Sequence, residues 1–227
     1  MSAKFNFSLH RSAWLLALLI ITSALPAHAQ NELDAPFHYE LTEDGSGYII
    51  SPIKDLRYDN VLFVPATRVS DGLPIVGIKG FSYNDYILAI EFEEGSNLKY
   101  IGPGCFQGCT GIQVIISLPE SVESFGDYAF SGCSMLEDVP LNSNLKYIGI
   151  SCFEGCTSIR SIKLPKSLET VREAAFKDCT ALESVEFEDR INCYTDSGFF
   201  GIWVFAGCTN LHSVKLPNNA PGKIRIP

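Results

Sequence analysis

The chain has 227 residues, with 26 acidic side chains against 17 basic ones, a formal net charge of −9 and eight cysteines. A protein this acidic, with its Lys and Arg scattered along the chain, repels a phosphate backbone, so nucleic acid is excluded as the expected partner. After the N-terminal leader nothing reaches the roughly 18 consecutive apolar residues that a spanning helix needs, so no transmembrane segment is expected.

The first residues read as an export signal. Lys4 and Arg11 precede an apolar run from Ala13 to Leu25, and the small-residue site Ala27-His28-Ala29 follows, the layout of a cleavable leader. Residues 1–29 are therefore expected to be a signal peptide, cut after Ala29 to leave Gln30 first. Removing Lys4 and Arg11 leaves 15 basic residues against 26 acidic ones, a mature charge of −11. A secreted or cell-surface location follows. No cysteine adjoins the cleavage site, so surface attachment is expected to be non-covalent or through a partner. Residues 37–64 alternate apolar and polar side chains around the turn-forming run Asp44-Gly45-Ser46-Gly47. Residues 30–64 thus read as an N-terminal cap built on a β-hairpin.

Residues 65–227 form one repeating array. The phrase Phe106-Gln107-Gly108-Cys109-Thr110 returns as Phe130-Ser131-Gly132-Cys133-Ser134, Phe153-Glu154-Gly155-Cys156-Thr157, Phe176-Lys177-Asp178-Cys179-Thr180 and Phe205-Ala206-Gly207-Cys208-Thr209. From Phe81 onward the phenylalanines are spaced by 25, 24, 23, 23 and 29 residues, a period that signals a solenoid. After each cysteine comes a strand pattern such as Leu182-x-x-Val185-x-Phe187, matched by Ile159/Ile162/Leu164, Leu136/Val139/Leu141 and Leu211/Val214/Leu216. With Asn84 in the cysteine position, Ile87/Ile90/Phe92 match it too. Leu-Pro breaks follow at Leu118-Pro119, Leu164-Pro165 and Leu216-Pro217, because proline has no donor with which to continue a ladder. A second apolar pair then returns the chain to the next phenylalanine: Leu98/Ile101, Val122/Phe125, Leu145/Ile148 or Leu168/Val171. A unit of about 23 residues cannot bury its apolar side alone. The stack is therefore expected to share one core, its strands about 4.8 Å apart.

These residues resemble the BspA-like, or Treponema-type, bacterial leucine-rich repeats, whose pattern runs Leu-x-x-Leu-x-Leu-Pro-x-x-Leu-x-x-Ile-Gly-x-x-Ala-Phe-x-x-Cys. Ile162, Leu164, Pro165, Leu168, Val171, Ala175, Phe176 and Cys179 follow it through one nearly complete turn. The resemblance spans about residues 58–217. It implies a β-rich leucine-rich-repeat solenoid of short parallel strands, stacked in about six units of 23–29 residues with irregular or short helical returns. It also implies an exported protein of the kind that binds host extracellular-matrix proteins or other cells, a binding surface rather than an enzyme. The chain departs from the pattern at Asn84, at an extra residue near Ile115-Ile116, and in its long fifth unit.

Eight cysteines in an exported chain would ordinarily suggest disulfides. Here Cys109, Cys133, Cys156, Cys179 and Cys208 hold one equivalent position, where parallel rungs keep Cβ atoms near 4.8 Å, beyond the roughly 3.5–4.5 Å of a disulfide. They read as a column of buried free thiols. Cys105 and Cys152 stand where other units have Ala129, Ala175 or Val204, so no metal site is expected there; Cys193 belongs to neither column. The mature chain has only His38 and His212, near opposite ends. Gly102-Pro103-Gly104 is a repeat turn rather than a phosphate loop. No catalytic residue and no cofactor is expected.

Binding is therefore expected on side chains standing between the buried strand positions. One outward column reads Leu88, Glu137, Arg160, Glu183 and His212, another Glu91, Pro140, Lys163, Glu186 and Lys215. The candidate patch is Arg160, Lys163, Glu183 and Glu186. A second candidate is the enlarged fifth unit, whose Tyr194, Phe199 and Phe200 sit around Gly198 and Gly201 as interface anchors often do; its Trp203 is expected to be buried. The expected partner is a protein, from host matrix or a cell surface. The alternative is a structural or assembly component of the envelope or of a polysaccharide-handling system, self-associating through the C-terminal edge left by the strand Leu211–Leu216.

Overall fold

The structure is a computed structural model and describes residues 37–54, 60–188 and 203–215. Its described residues form thirteen strands and no helix. β1 (Phe37–Leu41) and β2 (Tyr48–Pro52) make an antiparallel hairpin, with Phe37 opposite Pro52 and Leu41 opposite Tyr48. Asp44 closes its turn by accepting hydrogen bonds from the Thr42 hydroxyl and from the backbone and hydroxyl of Ser46. These bonds to the charged form hold the Asp44 carboxyl down at about 2.

From there the chain coils, alternating between two faces. β3 (Asn60–Val64) lies on one face and β4 (Ile75–Ile78) on the other. β5 (Ile87–Phe92), β6 (Tyr100–Ile101), β7 (Val114–Ser117) and β8 (Ser124–Phe125) continue the alternation. They are followed by β9 (Tyr147–Ile148), β10 (Ser161–Leu164), β11 (Thr170–Val171), β12 (Ser184–Phe187) and β13 (Ser213–Lys215). One face is a single sheet in the order β1-β2-β4-β6-β8-β9-β11, parallel throughout except for the hairpin. The other face carries two parallel three-stranded sheets, β3-β5-β7 and β10-β12-β13. The rung between them has only the isolated bridge Val114–Asp138, because Pro140 supplies no N–H where a strand would need one.

The fold is thus a β-solenoid of about six turns, and among the described residues its returns are turns rather than helices. β3 pairs with β5 in the same parallel manner as the later rungs, so the ladder of this face begins within the segment read from the sequence as a cap. The extra residue near Ile115-Ile116 is a β-bulge: Ile90 faces Ile115 but Glu91 faces Ser117, leaving Ile116 unpaired.

Two columns fill the interior. Phe81, Phe106, Phe130, Phe153, Phe176 and Phe205 stack ring on ring, with centroids 5.7, 5.4, 5.3, 5.2 and 5.8 Å apart. Phe37 of the hairpin closes the near end, edge-on to Phe81 at 6.1 Å. Beside the rings run the repeat cysteines. Cys109, Cys133, Cys156, Cys179 and Cys208 each donate from Sγ to the carbonyl of Phe81, Phe106, Phe130, Phe153 and Phe176 respectively, at 3.0–3.2 Å. Each thiol thereby satisfies a backbone acceptor of the rung before its own. All seven described cysteines are free and buried, and burial pushes Cys109 up to about 11 and Cys156 up to about 12. Cys193 lies outside the described residues.

Outside the hairpin, Arg68 lies 5.0 Å from the ring centres of both Tyr39 and Tyr48. It donates to the Tyr48 hydroxyl, which in turn donates to Asp71. A cation held between two rings and a carboxylate ties the hairpin to the first rung.

Phe153 is stacked on both sides, so Phe153→Ala opens a cavity in mid-column. The expected loss is about 3–5 kcal/mol of unfolding free energy, measured by urea titration. A loss below about 1 kcal/mol would mean that the column does not carry the core.

Candidate binding face

The face made by the two three-stranded sheets is where outward side chains line up from rung to rung. Strand alternation decides which these are. Leu62, Val64, Ile90, Ile162, Leu164 and Val185 turn inward and are buried, while their neighbours turn out.

On the C-terminal rungs the outward groups are charged and mutually paired. Lys163 stands in register with Glu186, and Glu186 with Lys215. Arg160 Nη1 lies 3.5 Å from Glu183, Lys163 Nζ 3.1 Å from Glu188, and Lys215 Nζ 2.5 Å from Glu186. The structure therefore brings Arg160, Lys163, Glu183 and Glu186 together on one surface, with Glu188 and Lys215 completing the ion pairs. The hydrogen bond and charge of Lys215, assisted by Lys163, hold the Glu186 carboxyl below its ordinary value; Glu188 is lowered by its hydrogen bond from Lys163. Such exposed pairs contribute little stability. They do fix where the charges stand.

On the N-terminal rungs the same face is apolar. Val61 and Phe63 on β3, Leu88 on β5 and Ile116 at the bulge of β7 are all exposed. Phe63 is the register partner of Glu91, and Leu88 is the extra residue between Ile87 and Ala89, which face Asn60 and Val61. Val61, Phe63 and Ile116 were not among the residues singled out from the sequence. The signal was the outward column itself, carried one rung further back to Phe63 and shifted by one residue at the bulge.

Tyr194, Phe199 and Phe200 lie outside the described residues. Trp203 corrects an expectation: it is 64% exposed, not buried. It holds the position two before the repeat phenylalanine, where Gly104, Tyr128, Ser151 and Ala174 also have left-handed backbone; at Trp203 φ is +61°. This position is buried where the side chain is small, at Ser151 and Ala174, and exposed at Tyr128 and Trp203; the next one, filled by Cys105, Ala129, Cys152, Ala175 and Val204, is buried in each of these units. His38 and His212 sit on the first strand and on the last described rung, so the stack holds them apart. Among the described residues no group of three or more His, Cys, Asp or Glu is placed to hold a metal ion.

The BspA-type leucine-rich repeat family model matches residues 75–202 in six copies. The chain belongs to that family. Among solved structures it is similar to the Treponema pallidum leucine-rich repeat protein, at 27% identity over 86% of this chain and 83% of that one, with a TM-score of 0.66. It is also similar in fold to a Bacteroides ovatus leucine-rich repeat protein, at 21% identity over 82% of this chain and 53% of that one, TM-score 0.60. A leucine-rich cell-surface protein of Faecalibacterium prausnitzii shares the fold at 19% identity over 79% and 52%, TM-score 0.54. A search of curated proteins found no match. Leucine-rich repeats of this family present a scaffold compatible with protein binding.

A carboxylate lowered in the folded state stabilises the fold above its unfolded value and stops doing so as pH falls through the folded value. Glu186 and Glu188, both below an ordinary 4.5, act in this direction. Carboxyl titration followed by NMR should place the Glu186 transition below 4.5, and Lys215→Met should move it back up. An unchanged Glu186 transition in that variant would show that the pair does not form in solution.

Proposed function

We propose that this chain is an exported, adhesin-like protein that binds a partner protein, from host matrix or another cell surface, through the face of β3-β5-β7 and β10-β12-β13. The observation that carries the reading is the division of that face: exposed Val61, Phe63, Leu88 and Ile116 on one half, and on the other an ordered lattice of Arg160, Lys163, Glu183 and Glu186. Exposed apolar surface next to ordered charge offers a partner both area to bury and polar groups to pair. Fixed charges of both signs add register and partner choice. Export rests on the leader-like residues 1–29, and a surface location accords with the Faecalibacterium neighbour's description as a cell-surface protein. No described helix is long and apolar enough to cross a membrane. Tyr194, Phe199 and Phe200 belong to the proposal as a second anchor.

The test is a binding screen of residues 30–227 against immobilised host-matrix proteins, repeated with two variants. One carries Arg160→Glu and Lys163→Glu, the other Tyr194, Phe199 and Phe200 changed to alanine. Saturable binding that the first variant weakens at least about tenfold, about 1.4 kcal/mol, supports the face. Loss only in the second moves the site to the fifth unit. Absence of binding to any matrix protein contradicts the reading.

A further inference from the structure

The two faces of the solenoid end differently at the N-terminal side. β2 and β3 belong to one turn, as do β4 and β5, yet only the long sheet carries an additional strand, β1, beyond that turn. The opposite sheet stops at β3, which is hydrogen-bonded to β5 alone among the described residues. The result is a step one strand deep beside β1.

The groups at this edge that no described residue pairs can be named. Val64 accepts at its carbonyl from Glu93 N, so Val64, and by alternation Leu62, face β5. The N–H and C=O groups of Val61 and Phe63 therefore point outward at the edge, and no described residue bonds to them. Natural edges are normally blunted by lysine, proline or shortness. This one has five residues, Asn60-Val61-Leu62-Phe63-Val64, with no charge and no proline, and the side chains of Val61 and Phe63 are exposed beside it.

We propose that the β3 edge is a strand-addition site, which takes an extended peptide of alternating apolar and basic residues from another protein. Main-chain bonds to Val61 and Phe63 would align the peptide; alternation would put its basic side chains on the outward face, their stems along the exposed Val61 and Phe63 and their charges toward Glu91, and its apolar side chains on the inward face, beside β1. The basic character follows from the neighbouring carboxylates. Glu91 is the register partner of Phe63, and neither it nor Glu94 has a salt-bridge partner among the described residues, whereas Glu183, Glu186 and Glu188 are all paired. The chain's net charge of −9 adds long-range attraction for such a peptide. The step selects a single strand over a second copy of the chain. A strand added about 4.8 Å from β3 lies level with β1. In a two-fold pairing of two β3 edges, each copy's β1 would project past the plane midway between them and meet the other's.

The inference is independent of the charged patch, and its test avoids residues 160–186. A fluorescein-labelled peptide alternating valine and lysine, long enough to span β3, is titrated with the full mature chain and followed by anisotropy. The same peptide N-methylated at every second residue keeps its charge and loses the outward bonds. Saturable binding is expected, weakened at least about tenfold by N-methylation and similarly by Val61→Pro, which removes a donor that no described residue uses. Glu91→Gln with Glu94→Gln should weaken it by a smaller factor. Equal affinity for the methylated peptide, which leaves the protein untouched, would overturn strand addition, as would no saturable binding. A wild-type dimer in sedimentation velocity that Val61→Pro abolishes would make the occupant a second copy and overturn the proposed foreign strand.

Discussion

From Cys109 onward, each described rung of this solenoid is fastened to the one before it by a buried thiol that donates to a phenylalanine carbonyl. Five such bonds run from Cys109 to Cys208, beside six stacked rings. A side chain at this place has to be small enough for a rung spacing near 4.8 Å and must still offer a donor. Cysteine meets both needs and remains otherwise apolar. Because the constraint lies between rungs, each turn must return its chain to the same inner position, and the extra residue of the unit that begins at Phe106 is taken up as the bulge at Ile116.

The inward half of each rung is therefore nearly invariant, and the outward half is free to differ. On the binding face that freedom yields a gradient, from Val61, Phe63 and Leu88 at one end to the paired Arg160, Lys163, Glu183 and Glu186 at the other. Pro140 interrupts the ladder where the character changes. On the opposite face, Lys99, Glu123 and Lys146 form a run of alternating charge, which neutralises itself between neighbouring rungs. The first face differs in carrying exposed apolar side chains on three neighbouring strands, β3, β5 and β7.

Much of the fold was legible because the inward positions repeat. Phe153, Cys156, Ile159, Ile162, Leu164, Leu168 and Val171 could each be placed inside from a single turn of the pattern, and all are buried. The column of free thiols followed from the same periodicity. The outward positions were legible only where the period held. Arg160, Lys163, Glu183 and Glu186 come from two successive units with identical spacing, and they share a surface. Ile116 was missed because a bulge shifts the count by one residue. Phe63 was missed because its segment lacks the cysteine phrase, yet its strand joins the ladder. Trp203 was misplaced because its position two before the repeat phenylalanine suggested burial, whereas that position buries only the small Ser151 and Ala174 and leaves the large Tyr128 and Trp203 exposed.

The central claim is that one closed column of thiols and rings orders the stack, and thiol labelling tests it most directly. Native protein is exposed to a maleimide and digested, and the labelled cysteines are identified by mass spectrometry, with and without denaturant. The account predicts that Cys105, Cys109, Cys133, Cys152, Cys156, Cys179 and Cys208, all free and buried, stay unlabelled until the chain unfolds and then react together. Rapid native labelling of Cys133 or Cys156, or a disulfide between neighbours in the column, would contradict it.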